Sequence, residues 1–281
     1  MKIGIVGLGL MGASFGRTIK AKTDDQIFGF DVDESVMLKA SLIGCIDGEL
    51  TEEVAKEIDL LIISVYPRAF NSVANKYLPV MKEGATLMDF CGNKATVCKA
   101  MKKLSAQFDK INFIGGHPMA GREFSGIDHS VKTLFERASM LLVPVKVDIF
   151  TGEMIKKYFL SLGFGEVIFT DAETHDKTIA FTSQLCHIVS NAFIKSETAI
   201  NHHGYSAGSY KDLTRVARLN ATMWSQLMTD NRDKLSYELG TLIENLQKYQ
   251  KALEEGDEKE LFDLLEEGNK LKLEIDARRS K

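Results

Sequence analysis

The chain has 281 residues, 44% of them hydrophobic and 26% charged, and carries a net charge of −4. That length suggests about two domains, and the composition is that of an ordinary soluble globular protein. No basic stripe points to nucleic acid and no apolar run approaches the ~18 residues of a membrane helix, so neither partner is expected, and a cytoplasmic location is.

The first residues, Lys2-Ile3-Gly4-Ile5-Val6, form an apolar run that ends in a glycine turn, Gly7-Leu8-Gly9-Leu10-Met11-Gly12. The spacing is the G-x-G-x-x-G of a dinucleotide-binding βαβ unit. Gly7 allows the tight turn, Gly9 lets the backbone approach a pyrophosphate, and Gly12 lets the helix pack on the strand. One lysine followed by apolar residues imitates a secretory leader, but the small-residue cleavage pattern is missing. Met11, Phe15 and Ile19 recur at helical spacing, which predicts a crossover helix over residues 11–22. The second strand, residues 26–31, ends in Asp31, about 20 residues past the glycines, where a carboxylate grips the adenosine ribose. That carboxylate repels a 2′-phosphate, so NAD is expected over NADP.

Asp33 or Ser35 can cap a second helix to about residue 43. Residues 59–65 are apolar on both faces, as in a central parallel strand. Pro67 opens a helix through residue 81, at the position where its missing N–H is harmless. Strands follow at 85–89, 111–116, 138–143 and 167–169, with helices at 94–108 and 150–162 between them. This alternation implies a doubly wound, mostly parallel sheet. Ligands bind at the carboxyl ends of such strands, where Asp31, Tyr66, Asp89 and His117 fall. The cofactor is expected against Gly7, Leu8, Gly9, Leu10, Met11, Gly12, Asp31, Ser64, Val65 and Tyr66. Cys45, Cys91, Cys98 and Cys186 are scattered with no C-x-x-C pair, as expected of reduced thiols, and no metal site is expected.

After Asp171 the strand signals stop. Residues 174–201 read as one long helical stretch, apolar around much of its circumference, which suits a bundle or a subunit interface. His202-His203-Gly204 breaks it. Further helices are predicted at 210–220, 223–230, 234–255 and 258–277, with a turn at Gly256-Asp257. The Glu- and Lys-rich face of the last helix reads as solvated. The expected domains are therefore 1–170 and 171–281.

Three stretches carry candidate chemistry. In Gly115-Gly116-His117-Pro118-Met119-Ala120-Gly121, Pro118 holds His117 extended. There the imidazole either accepts a proton from a substrate hydroxyl or merely caps the loop. Ser183 and His187 are four apart and share a helix face; they are either a satisfied core pair or a substrate contact. Arg215 suits bidentate carboxylate binding, although its spacing from Asp212 favours a surface ion pair.

The chain resembles the prephenate/arogenate dehydrogenase family of tyrosine biosynthesis. The resemblance rests on Gly7-x-Gly9-x-x-Gly12, on Gly116 to Gly121 with Ser125-Gly126, on His175-Asp176, on Ser183 to His187, and on Asp212-x-Thr214-Arg215-x-Ala217 with Trp224. It implies an N-terminal Rossmann domain and a C-terminal all-helical domain that forms a homodimer. It also implies an NAD-dependent oxidoreductase acting on prephenate, with arogenate as the alternative substrate; another small β-hydroxyacid-type dehydrogenase is the remaining enzyme reading. On this resemblance His117 is the catalytic base, Arg215 holds a substrate carboxylate, and His187 and Ser183 orient the substrate, with Trp224 packed nearby. The chain departs from the family pattern at Gln184 and Cys186, where a His and a Pro are usual. Gly92 takes the place of a helper serine, so either Asn93 supplies a polar group instead or the helper role is absent. Arg122 stands where a small polar residue is common and either meets a substrate carboxylate or is exposed. No chorismate-mutase-like segment precedes and no ACT-like domain follows, so a monofunctional enzyme is expected.

Overall fold

The computed structural model describes residues 1–202 and 204–279, so His203 of the expected helix break lies outside the described residues. Contacts group the chain into two compact units, Met1–Arg232 and Asp233–Lys281. The first contains one eight-stranded sheet of order β3-β2-β1-β4-β5-β6-β7-β8. The strands are β1 (Lys2–Val6), β2 (Gln26–Phe30), β3 (Gly48–Glu49), β4 (Leu60–Ile63), β5 (Thr86–Asp89), β6 (Asn112–Pro118), β7 (Ser139–Lys146) and β8 (Glu166–Phe169). All neighbours pair parallel except β6 and β7.

The central strands are buried on both faces, and period-2 alternation divides their side chains between two cores. On one face Ile3, Ile5, Leu60, Ile62, Met88 and Ile114 pack with α1 (Leu10–Lys22), α2 (Glu34–Leu42) and α6 (Ile149–Ser161). On the other, Val6, Leu61, Ile63, Leu87 and Phe113 pack with α3 (Glu52–Ala55), α4 (Phe70–Tyr77) and α5 (Ala95–Ser105). Asp33 caps α2 by accepting from the Ser35 N–H, so the cap is the earlier of the two candidates. Pro67 opens a 3₁₀ turn, Pro67–Ala69, that leads into α4, which ends well short of residue 81.

β6 and β7 run antiparallel because no crossover helix joins them; the 119–138 connection holds only a 3₁₀ turn at Ile127–His129. This connection lies along the glycine-loop helix. Ser14 Oγ accepts from Val131 N at 3.0 Å, Thr18 Oγ1 donates to Lys132 O at 3.0 Å, and Lys39 Nζ pairs with Asp128 at 2.8 Å.

The long stretch expected over 174–201 is interrupted. α7 (Ala172–Ile179) runs into a π turn (Ala180–Leu185), then α8 (Cys186–Phe193), and a 3₁₀ turn follows at Glu197–Ile200. Asp171 caps α7 through the Thr174 N–H. Phe181 and Phe193 are exposed, so much of the apolar circumference is uncovered in the single chain. Next come α9 (Gly208–Thr214), shorter than expected, and α10 (Ala221–Asp230). By element type the helical part begins at 171, but by contact residues 171–232 belong with the sheet. The reason is polar anchoring: buried Asp176 takes both the Lys94 and Ala95 N–H groups.

The second unit is built from α11 (Arg232–Glu255) and α12 (Glu258–Arg279), joined at Gly256-Asp257. Asp257 caps α12 through the Glu260 N–H, and Tyr249 donates to Leu264 O at 3.2 Å. Leu246, Leu253, Phe262, Leu265, Leu271, Leu273 and Ile275 are exposed.

Candidate active site

Strand register sets the rim. Val6 aligns with Phe30 and with Ile63, Ile63 with Asp89, and Asp89 with Gly115, so the segments after β1, β2, β4 and β5 and the end of β6 share one edge.

On the cofactor side Gly7 takes φ +89°, and a Cβ there would strike the Ser64 carbonyl. A Cβ at Gly12 would strike the carbonyl of Gly7, which explains why the helix closes so tightly on the strand. Around Gly9 the space within 4 Å of a Cβ position is empty, and α1 starts at the next residue with no side-chain cap. An open cradle facing uncapped helix N–H groups is what a pyrophosphate needs. Asp31 Oδ2 accepts the Leu8 N–H at 2.8 Å and Oδ1 the Asp33 N–H at 3.1 Å, so the carboxylate is fixed between the loop and the end of β2. Leu8 is buried in the core, Leu10 and Met11 lie half-buried in the first turn of α1, and Tyr66 is exposed beside Ser64 and Val65. The donor set fits a dinucleotide with a free ribose.

His117 stands at the end of β6, backed by a chain of polar contacts. Its Nδ1 lies 2.9 Å from His175 Nε2, and His175 Nδ1 lies 2.7 Å from Asp176 Oδ1. His175 and Asp176 are buried. Below them the fully buried Lys94 pairs with Asp89 and donates to Gly116 O at 2.7 Å, which holds the peptide preceding His117. Burial, followed by the neighbouring His175 and Lys94, pushes the His117 imidazole well below its usual 6.5. Burial also lowers His175, against the opposing pull of Asp176. Asp176 is held below the usual carboxylate range by its bonds from His175, Lys94 and Ala95, which outweigh its burial. At neutral pH the site thus contains two neutral imidazoles and one carboxylate. Asp89, expected on the ligand rim, is instead buried against Lys94.

Asn93 Nδ2 donates to Leu227 O at 2.7 Å and its Oδ1 accepts from Gln184 Nε2 at 2.9 Å. Gln184 Oε1 in turn accepts from Asn231 Nδ2, which also reaches Asp176 O. Each end of the Asn93 amide thus makes one protein contact, which ties the residue to α10 and the π turn. Two departures from the family pattern, Asn93 beside Gly92 and Gln184, therefore meet in one hydrogen bond. A Cβ at Gly92 would lie 3.3 Å from the Leu227 side chain.

The second pole of the site is His187 on α8. Its Nδ1 faces Val216 O at 3.2 Å and its ring lies 3.8 Å from Trp224, centre to centre. Burial lowers its pKa, so it is a neutral Nδ1–H imidazole with a bare Nε2. Ser183 falls within the π turn, where its carbonyl accepts from the Cys186 N–H. Arg215 pairs with Glu123 and not with Asp212. Glu123 belongs to the loop that follows His117, so this pair ties that loop to the segment carrying Val216, whose carbonyl His187 faces. Arg122 is exposed, donates to His129 O at 3.2 Å, and lies 6.0 Å from the Phe124 ring, with Arg218 at 5.8 Å.

Sequence reasoning assigned no role to His175, Asp176, Lys94 or Glu123. The His175-Asp176 adjacency one turn after the Asp171 cap was the visible signal for the first two. Asp89 and Lys94, five apart across one turn after a core strand, were the signal for the buried pair.

Residues 15–164 match the family described as prephenate dehydrogenase, nucleotide-binding domain, and residues 171–267 the one described as prephenate dehydrogenase, dimerization domain. A cyclohexadienyl dehydrogenase of Zymomonas mobilis is 30% identical, covering 97% of this chain and 95% of its own length. A prephenate dehydrogenase of Lactococcus lactis is 28% identical over 96% of this chain and 76% of its own. Among solved structures, a prephenate dehydrogenase from A. aeolicus, in complex with hydroxyphenyl propionate and NAD+, superposes with a TM-score of 0.84 at 26% identity, covering 98% of both chains.

Proposed function

The chain belongs to the prephenate dehydrogenase family, and from that premise we propose that it oxidises prephenate with NAD, releasing carbon dioxide and 4-hydroxyphenylpyruvate. The observation that carries the reading is His117: a neutral imidazole at the carboxyl end of β6, on the same rim as an open glycine cradle.

When bound, NAD supplies the acceptor for the hydride. Gly7, Leu8, Gly9, Leu10, Met11 and Gly12 would face its pyrophosphate, Asp31 its adenosine ribose, and Ser64, Val65 and Tyr66 would border it. His117 takes the proton from the ring C4 hydroxyl. A neutral imidazole can do so at pH 7 without first losing a proton. Oxidation at C4 leaves a dienone, and the ring carboxylate departs because its loss makes the ring aromatic. Arg215 holds the side-chain carboxylate. Glu123, a carboxylate already on that guanidinium, stands in for the ligand group and yields to it. His187, held by its Nδ1–H toward Val216, lines the substrate side with the Trp224 ring tilted against it, and Ser183 lies one turn earlier. Arg122 stays with its own loop.

By activity the chain divides into residues 1–170, which bind the dinucleotide, and 171–281, which shape the substrate side and dimerise. The exposed apolar residues of α12 and the dimerization-domain match support a homodimer. A cytoplasmic location follows from the biosynthetic role proposed; among the described residues, no helix is long and apolar enough to cross a membrane.

Purified protein incubated with NAD and prephenate, and separately with NAD and arogenate, tests the reading by NADH absorbance. NADH appearing with prephenate is the expected result. Turnover with arogenate alone would reassign the substrate, and silence with both would overturn the reading.

A further inference from the structure

The proton acceptor proposed above is held by two other side chains, and their contacts fix which of its nitrogens carries hydrogen. Asp176 is clamped to the start of α5: Oδ1 accepts the Lys94 N–H at 2.7 Å and Oδ2 the Ala95 N–H at 2.8 Å. Oδ1 also faces His175 Nδ1 at 2.7 Å. An ionised carboxylate can only accept, so the hydrogen on that contact belongs to His175. A neutral imidazole with hydrogen on Nδ1 has a bare Nε2. That bare nitrogen lies 2.9 Å from His117 Nδ1. The hydrogen between the two rings must then be on His117, which leaves its Nε2 as a free lone pair. Among the described residues, Nε2 of His117 has no partner.

We propose that His175 and Asp176 are positioning residues that lock His117 in the Nδ1–H tautomer and so make Nε2 the atom that takes the substrate proton. The charged groups around this relay are Lys94 and Asp89, which neutralise each other, and Asp176 itself. A single net carboxylate buried at the far end is the arrangement that favours this order of hydrogens over the reverse. Gly92 offers no side chain to do the same work, and the space beside it is taken by Leu227. The inference rests on His117 as the base.

The direct test is NMR of the full-length protein labelled with 15N-histidine at pH 7.5, with ring signals assigned by their loss in His117→Asn and His175→Gln variants. Both rings are expected as Nδ1–H, the minor form of free histidine. His117 found as Nε2–H overturns the proposal. Kinetics gives a second reading. His175→Leu removes the acceptor at similar volume and is expected to lower kcat by about 10²–10⁴-fold, the upper end being the loss of a wrong-tautomer variant, with KM for prephenate and NAD nearly unchanged. His175→Gln places a carbonyl oxygen near the lost Nε2 and is expected to recover roughly tenfold of that loss. Equal losses in both variants, or a loss in KM alone, would assign His175 a purely structural role. Should His175→Leu fail to fold, the NMR result decides. The tautomer measurement does not depend on turnover, so a protein inactive on both acids would fail the reading of the reaction while the ring assignment stood.

Discussion

The glycine loop and the histidine pocket share a rim but are built in opposite ways. The loop binds with backbone groups from one turn of chain, and its critical side chains are absent ones. The pocket binds with side chains brought from β6, α5 and α7, each needing the next: Asp176 orients His175, His175 meets His117, and Lys94 holds the peptide in front of it. Damage to a backbone cradle weakens one ligand. Damage to a chain of buried side chains spreads through all of its members, because each lost partner leaves a buried polar group unsatisfied.

Substitutions can break or sharpen this contrast, and the largest effect is expected at the end of the chain. His117→Asn keeps a polar amide on the Nδ1 side of the lost ring but cannot accept the proton, so kcat is expected to fall about 10²–10⁴-fold, while NAD affinity measured by calorimetry stays as it was. A matching loss of NAD affinity would merge the two regions into one. Lys94→Met leaves Asp89 buried without its cation and is expected to cost about 3–5 kcal/mol in denaturant unfolding; a change under 1 kcal/mol would mean that water reaches Asp89. On the cradle side Asp31→Ser is expected to raise the Kd for NAD about tenfold, about 1.4 kcal/mol, with kcat at saturating NAD little changed. Unaltered affinity would refute the ribose contact. The smallest effect is on pH dependence. His117, His175 and His187 all titrate below 6.5 in the folded protein. The unfolded chain then binds protons more readily, so their contribution to stability is complete above about pH 6.5 and is lost as the pH falls through the lowered values. Denaturation midpoints measured from pH 7.5 to 5 should decline along that direction, and a flat profile would contradict the burial of the three rings.

The contrast also explains what the sequence made legible. The cradle is contiguous, so the glycine spacing and Asp31 could be read off the chain, and the two-sided apolar strands announced the doubly wound sheet. The reversal at β7 was hidden because a short strand has no intrinsic direction; what decided it was the missing helix in 119–138. His117 was visible from its place after a glycine-ended strand. His175-Asp176 stands out only as part of the family pattern; that the pair backs His117 is not legible, because Asp176 and His117 are far apart in sequence and an adjacent His-Asp pair is equally at home on a solvated helix. Asn93 has contacts that were equally hidden. A polar residue beside Gly92 suggests a ligand contact, but sequence does not show that Gln184 and Leu227 each bond its amide.

The π turn at Ala180–Leu185 acts as a phase shift in the helix that carries both His175 and His187. A π turn arises when one extra residue is accommodated in an α-helix. The two histidines therefore sit on faces whose relative angle depends on a residue count. Deleting Thr182 would remove the surplus residue and let the backbone relax to regular α geometry with His187 still facing Trp224 and Val216. A further deletion before His187, with nothing left to absorb the change, would instead turn it away by about 100°. For this segment the length of the chain is as much a specification of the site as the identity of its residues, and a library that varies only side chains would miss it.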